Sequence, residues 1–256
     1  MIPASVQQLF RIPADPALLH HGQHEPGLVL LSLVIAIFTS WMALQMTVYS
    51  RSQASISRQL HLLCLMAGSL ALGCGVWAMH FIGMLAFDLG TSVDYAPGLT
   101  LLSIAPSVAA AFVALATLSR RAVSAPLLLR GGIVVGLGIG AMHYMGMHAM
   151  RTGLSLRYEP VLFFLSLLVA VVLATLALWI RFGLRGWSGA LGPSQRNLIS
   201  ACVMGCAIAG MHYMGMHAAR FIGIIPPGNH ADTDKTMLAV SVSLLTVTLT
   251  ILVAST

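Results

Sequence analysis

Acidic side chains are almost missing: the 256 residues hold seven Asp and Glu, none inside a long apolar run. That absence removes the carboxylate ligands on which magnesium, calcium and di-iron centres depend. Lysine occurs once, at Lys235, between apolar runs, so no buried amine is present for Schiff-base photochemistry. No phosphate-binding loop and no nucleophile–base pair in a soluble domain is present, which argues against catalysis within the chain. Cysteine is sparse too. Cys64, Cys74, Cys202 and Cys206 all lie in apolar runs, away from oxidising solvent, so no disulfide framework is expected. Cys74 and Cys206 stand six residues before a histidine, on another face of the helix, and read as small packing residues.

Charged residues amount to 8% and hydrophobic residues to 58%, with a mean hydropathy of +0.90, a balance typical of membrane proteins. Runs long enough to cross about 30 Å of hydrocarbon occupy 27–49, 60–87, 98–118, 127–150, 161–180, 198–219 and 237–254. They predict an all-α integral membrane fold of seven transmembrane helices and almost nothing else. The first 26 residues combine prolines, both signs of charge and His20, His21 and His24, unlike a cleavable signal peptide, so the first helix acts as its own insertion signal.

Basic residues set the orientation, because short arginine-bearing loops stay cytoplasmic. Arg51, Arg58, Arg120, Arg121, Arg130, Arg181, Arg185 and Arg196 follow the first, third and fifth spans with no acid among them. Asp15, Glu25, Asp88, Asp94, Glu159, Asp232 and Asp234 fall on the other side. The N-terminus is therefore outside and the C-terminus inside, in a multi-pass protein of the cytoplasmic membrane. The net charge of +6 is a topology signal, with the arginines against anionic lipid of the bilayer, and gives no nucleic-acid footprint.

One short pattern occurs three times: Ala78-Met79-His80-Phe81-Ile82-Gly83-Met84, Ala141-Met142-His143-Tyr144-Met145-Gly146-Met147 and Gly210-Met211-His212-Tyr213-Met214-Gly215-Met216. Each copy ends an even-numbered span, so six helices form three parallel helix-pair repeats, with a seventh connecting helix outside them. The segments are an extracytoplasmic 1–26, a six-helix domain 27–219 with repeats at 27–87, 98–150 and 161–219, an extracytoplasmic loop 220–236, and the seventh helix at 237–256. Glycines before each motif let the motif helices pack closely.

The first charged residue after each histidine comes eight positions later, at Asp88, Arg151 and Arg220. On a continuous helix this sets His80, His143 and His212 in one layer about 12 Å below the outer boundary. Met84, Met147 and Met216 lie one turn further out on the same faces. Ten of the fifteen methionines lie in or beside the motifs, and thioether with imidazole suits copper, Cu(I) above all. Buried neutral histidines with methionine packing are the plainer alternative. His148 and His217, towards the outer surface, are candidates for a further shallow site or simply snorkel to the interface. His20, His21, His24 and His230 are weak captors of metal or an exposed tail. Tyr144 and Tyr213 suit the interface belt, and their hydroxyls are candidate donors to a bound ligand.

These repeated motifs, over the first six helices, resemble the MHYT domain, a bacterial integral-membrane sensory module. The resemblance implies metal ligation carried by Met79, His80 and Met84, by Met142, His143 and Met147, and by Met211, His212 and Met216, with Tyr144 and Tyr213 beside the ligand. It implies copper and, through it, sensing of oxygen, carbon monoxide or nitric oxide. It further implies a downstream cytoplasmic signalling domain, often a diguanylate cyclase or cyclic di-GMP phosphodiesterase, which makes this chain the non-enzymatic part. The sequence departs from the named pattern at Phe81 and at Ile82, Met145 and Met214, so no threonine ligand is available. Haem, structural zinc and a metal or proton transporter are the other readings, and a homodimer is admitted. Transport is disfavoured because no relay of ionisable or polar groups is read on the helices between the histidine layer and His61.

Overall fold

The structure is a computed structural model that describes residues 8–13, 18–20, 22–53, 57–120, 124–183, 192–224 and 235–255. Arg121, Arg185, Asp15, His21, His230, Asp232 and Asp234 lie outside the described residues. Among the described residues, seven helices are long and apolar enough to cross a membrane. They are α1 (Pro26–Gln53), α2 (Arg58–Leu85), α3 (Pro97–Ser119), α4 (Ala125–Ala149), α5 (Pro160–Gly183), α6 (Pro193–Ala218) and α7 (Lys235–Ser255). The observed bounds differ from the hydropathy reading by a few residues, because the apolar runs are bracketed by helix starters. Proline opens α1, α3, α5 and α6, where its missing N–H would have no intrahelical partner.

The first six helices close into a ring in which each packs against the next and α6 returns to α1, while α2, α4 and α6 also meet one another inside. Small residues make this possible. A β-carbon on Gly136 would stand 2.6 Å from the Val171 backbone, and one on Gly73 2.6 Å from that of Val108. The core of the ring is apolar, with Leu72, Val76, Leu115, Val135, Ile139, Leu178 and Ile208 all buried. The seventh helix lies outside the ring against α2 and α1, where Ala239 packs with Leu28, Ile35 and Ile82.

Four features depart from the sequence reading. First, α3 is in two pieces, Pro97–Leu102 and Ile104–Ser119. Pro106 cannot donate to the carbonyl four residues back and its ring crowds that turn, and Ser107 Oγ bonds Gly73 O at 2.9 Å beside the break.

Second, the outer end is not loop alone. Among the described residues seven short strands cover it: β1 (Leu19–His20), β2 (Gln23–His24), β3 (Phe87–Asp88), β4 (Asp94–Tyr95), β5 (Met150–Arg151), β6 (Ser155–Tyr158) and β7 (Ala219–Ile222). The strand before each repeat pairs antiparallel with the strand after it: β2 with β3, β4 with β5, β6 with β7. One amide at an equivalent position seals each pair, Glu25 N to Ala86 O at 2.8 Å, Ala96 N to Ala149 O at 2.8 Å and Glu159 N to Ala218 O at 2.9 Å. Such short strands carry no periodicity that a sequence reading could detect.

Third, the motif helices stop five or six residues past their histidines and continue as these strands, so the histidines lie closer to the helix ends than eight helical residues imply. Fourth, the inner half of the ring is not free of polar groups. Asn197, buried on α6, donates to Gln45 Oε1 of α1 at 3.0 Å, and Ser40, Thr47, Ser69 and Ser200 are also buried. These are uncharged groups, and Thr47 and Ser69 bond the carbonyl four residues back in their own helices.

Lys235 is the first residue of α7, and its Nζ donates to Asp88 Oδ1 at 3.0 Å in a partly exposed pair. That bond and the Gly90 amide hold the Asp88 carboxyl below the usual carboxylate range. Gly90 has φ of 69°, a left-handed turn that suits glycine. The pair ties the start of α7 to the strand that follows the first motif.

The distribution of arginines makes the strand-bearing end the expected outer face and the arginine-bearing end the expected inner one. In a cysteine-free background, a cysteine replacing Asp94 should react with a membrane-impermeant maleimide in intact cells, and one replacing Arg120 only after the membrane is opened. The reverse labelling pattern would invert the topology.

Candidate metal centre

Each motif histidine sits on the inward face of an even helix, which turns it away from lipid and towards the ring axis. His80 of α2, His143 of α4 and His212 of α6 are 2%, 0% and 0% exposed. Their Nδ1 atoms form a triangle with edges of 3.0 Å (His80 to His212), 3.1 Å (His80 to His143) and 3.3 Å (His143 to His212). The rings stand edge-on to one another, with centroids 4.9, 5.0 and 5.1 Å apart and planes at 79°, 82° and 84°. The layer inferred from the motif spacing therefore converges on one point.

The opposite side of each ring is seated in a glycine on the next motif helix. A β-carbon on Gly83 would fall 2.3 Å from His212 Nε2, one on Gly146 2.2 Å from His80 Nε2, and one on Gly215 2.4 Å from His143 Nε2. The order is cyclic, so each helix supplies one histidine and one slot. Sequence reasoning had assigned close packing to the glycines before each motif, and it missed these. The signal was present, since the third residue after every motif histidine is glycine.

Proton counting shows what the triangle lacks. A neutral imidazole nitrogen either donates through its one N–H or accepts through its one lone pair. Three such atoms cannot all be in unlike pairs, so at least one edge of the triangle faces lone pair to lone pair or proton to proton. With the protons on Nε2, where all three atoms are buried without a hydrogen-bond partner among the described residues, three Nδ1 lone pairs face one another at the centre. A cation on the axis satisfies all three lone pairs together. The triangle's centre is about 1.8 Å from each nitrogen, close to the ~2.0–2.1 Å of imidazole bound to zinc. These three histidines are the group of metal-capable side chains that the described residues bring together.

The other candidates are distributed around this triangle. Met84, Met147 and Met216 join Phe87, Leu89, Leu154, Tyr158 and Phe221 in the buried cluster on its outer side. Met79, Met142 and Met211 belong to the core cluster that includes Val76, Ile139 and Ile208. The Tyr144 hydroxyl pairs with Ser166 Oγ at 2.6 Å and that of Tyr213 with Ser32 Oγ at 2.8 Å. Both serines bond backbone carbonyls of their own helices at 2.7 Å, so the tyrosines are the donors in these pairs. Their rings brace the histidines instead, at centroid distances of 4.8 Å for His143–Tyr144 and 4.7 Å for His212–Tyr213. His148 and His217 are exposed at the outer ends of α4 and α6.

A family model described as "MHYT: Bacterial signalling protein N terminal repeat" matches residues 73–131, 136–192 and 205–256. The chain belongs to the MHYT family. In the MHYT frame each unit starts at a motif helix and runs on through the next odd helix, so α7 falls in the third unit although it lies outside the ring. The chain is 40% identical over 220 residues, 86% of its length, to the bifunctional diguanylate cyclase/cyclic di-GMP phosphodiesterase MucR of Pseudomonas aeruginosa. It is 33% identical over 231 residues (88%) to the signaling protein YkoW of Bacillus subtilis. To the cyclic di-GMP phosphodiesterase NbdA of P. aeruginosa it is 35% identical over 206 residues (80%). The MHYT chain spans only 31%, 28% and 26% of these three relatives. No solved structure matches it. Seven apolar spans and membership of this family make it a multi-pass protein of the bacterial cytoplasmic membrane.

Gly146→Ala sets a methyl group where the His80 ring now lies. The expected result is a loss of about 1–3 kcal/mol of stability, as for other overpacked cores, seen as a lower thermal midpoint in detergent. Gly98→Ala, whose added β-carbon meets nothing within 4 Å, should leave the midpoint unchanged.

Proposed function

We propose that this chain is a sensory module that holds one copper ion on the Nδ1 atoms of His80, His143 and His212. In this reading it responds to oxygen, carbon monoxide, nitric oxide or the redox state of copper, and it signals to a cytoplasmic cyclic di-GMP domain. The observation that carries the reading is the odd triangle of buried nitrogens, which cannot all pair with one another and whose opposite ring nitrogens have no hydrogen-bond partner among the described residues.

Charge favours Cu(I) over a divalent ion. No acid occurs in any spanning helix, so three neutral imidazoles leave the ion's full charge inside an apolar ring. The solvation penalty grows as the square of that charge, making a monovalent ion about four times less costly than a divalent one. Copper would supply a soft, redox-active centre able to take a small diatomic ligand. The chain's part is to hold three nitrogens in fixed directions, to seat the rings in Gly83, Gly146 and Gly215, and to exclude water with the methionine and aromatic cluster outside. Met84, Met147 and Met216 are the supplementary ligands in this proposal, because they line the side from which a gas arrives. Haem finds no support, since nitrogens 3.0–3.3 Å apart in a closed triangle leave no plane for a macrocycle.

The route to the output is short. His80 and Asp88 lie on one continuous segment, and Asp88 holds Lys235 at the start of α7. A displacement of the first motif helix is therefore felt by the helix that leads to the cytoplasm. The cyclic di-GMP output rests on the relatives named for that chemistry and on their greater length.

Elemental analysis of the purified chain should find about one copper per chain, lost together with stability in the His80, His143 and His212 triple alanine variant. His143→Ala alone should remove most of it while leaving membrane insertion intact. Equal metal in wild type and triple variant would overturn the ligand assignment, and zinc in place of copper would overturn the choice of ion.

A further inference from the structure

Around the triangle, the threefold pattern extends to a second shell of rings, and there it is broken. The residue after each motif histidine is aromatic, and each is covered by the last residue of a strand. Tyr95 of β4 covers Phe81 at a centroid distance of 5.0 Å, and Tyr158 of β6 covers Tyr144 at 5.2 Å. His24 of β2 covers Tyr213 at 5.4 Å. The three covering residues are equivalent, each standing one residue before the amide that seals its repeat. Two covers are tyrosines and the third is an imidazole.

The residue one turn above each motif aromatic differs as well: Leu85, His148 and His217. The first position thus has no imidazole, the second has one, exposed His148, beside a buried Tyr158, and the third has two, both exposed. His24 also touches Phe87 at 4.9 Å, and its basicity is lowered by partial burial and by the charge of His217. From His24 the rings lead inward through Tyr213 to His212, at 5.4 and then 4.7 Å. The hollows beside the other two positions, about 310 and 430 Å³, are walled mainly by apolar and aromatic groups, with Asp94 and Lys235 on the first and His148 on the second. Neither hollow offers a soft cation a pair of imidazoles, as the third position does.

We infer that His24 and His217 form the port through which a soft metal cation reaches the central triangle, capturing it at the outer surface beside Tyr213 and passing it to His212. The inference rests on the copper-binding reading. Neutral imidazoles are the ligand type that the ion meets again at its destination, so transfer exchanges like for like. A captured ion is also held at high local concentration beside the ring that must next receive it.

The test is the rate of loading, measured anaerobically on the full chain with Cu(I) as the probe and a chromogenic chelator to stop the reaction. His24→Tyr installs the residue already present at the two equivalent positions, so folding is not at risk; His24→Ala removes both ligand and cover. Both variants, and His217→Leu, should load about tenfold more slowly yet reach the wild-type stoichiometry. If His24→Ala loads as fast as wild type or faster, His24 is only a cover and the port is refuted. If His24→Tyr matches wild type, the ion takes another route. A wild-type chain that takes up no Cu(I) would instead refute the central site itself.

Discussion

Three imidazoles that cannot all hydrogen-bond to one another, sealed where water cannot help, are the constraint around which this molecule is arranged. Two histidines would form an ordinary donor–acceptor pair. Three, pointed at one spot by threefold-related helices, cannot. The arrangement persists because the surroundings over-determine it. Each ring is seated in a glycine of the next helix, His143 and His212 are braced by the aromatic that follows them, and each helix is pinned at its outer end by a strand amide.

The repeat explains how so small a chain achieves this. A single helix pair has one histidine and one slot, and neither is of use alone. Three pairs in a closed ring supply three histidines to three slots, and the last pair completes the first. Symmetry also makes its exceptions informative. Phe81 in place of tyrosine, Leu85 in place of histidine and His24 in place of tyrosine all distinguish one sector from another, although the central triangle treats the sectors alike.

Much of this was legible beforehand. Hydropathy located all seven spans, because apolar length is what a bilayer selects, and the common eight-residue interval put His80, His143 and His212 in one layer. The role of Gly83, Gly146 and Gly215 was not legible, because the atom that needs each glycine belongs to another helix, 129 positions away for Gly83 and His212. The strands were missed for want of length, and the break in α3 because Pro106 was read as part of an apolar run. The Gln45–Asn197 pair was passed over since the two amides lie on different helices and become a pair only when α1 meets α6.

The three strand clasps lie at one end of the ring, and the histidines only a turn or two beneath them. Each helix pair is thus a pair of tongs hinged at the outer surface, gripped just below the hinge, with arms reaching to the opposite face. Spreading the grip by a fraction of an ångström swings the far tips through several times that distance, since helices of 23 to 28 residues extend about 35–42 Å at 1.5 Å per residue. The cytoplasmic ends, where the arginines lie, are where a small change at the nitrogens becomes a large one.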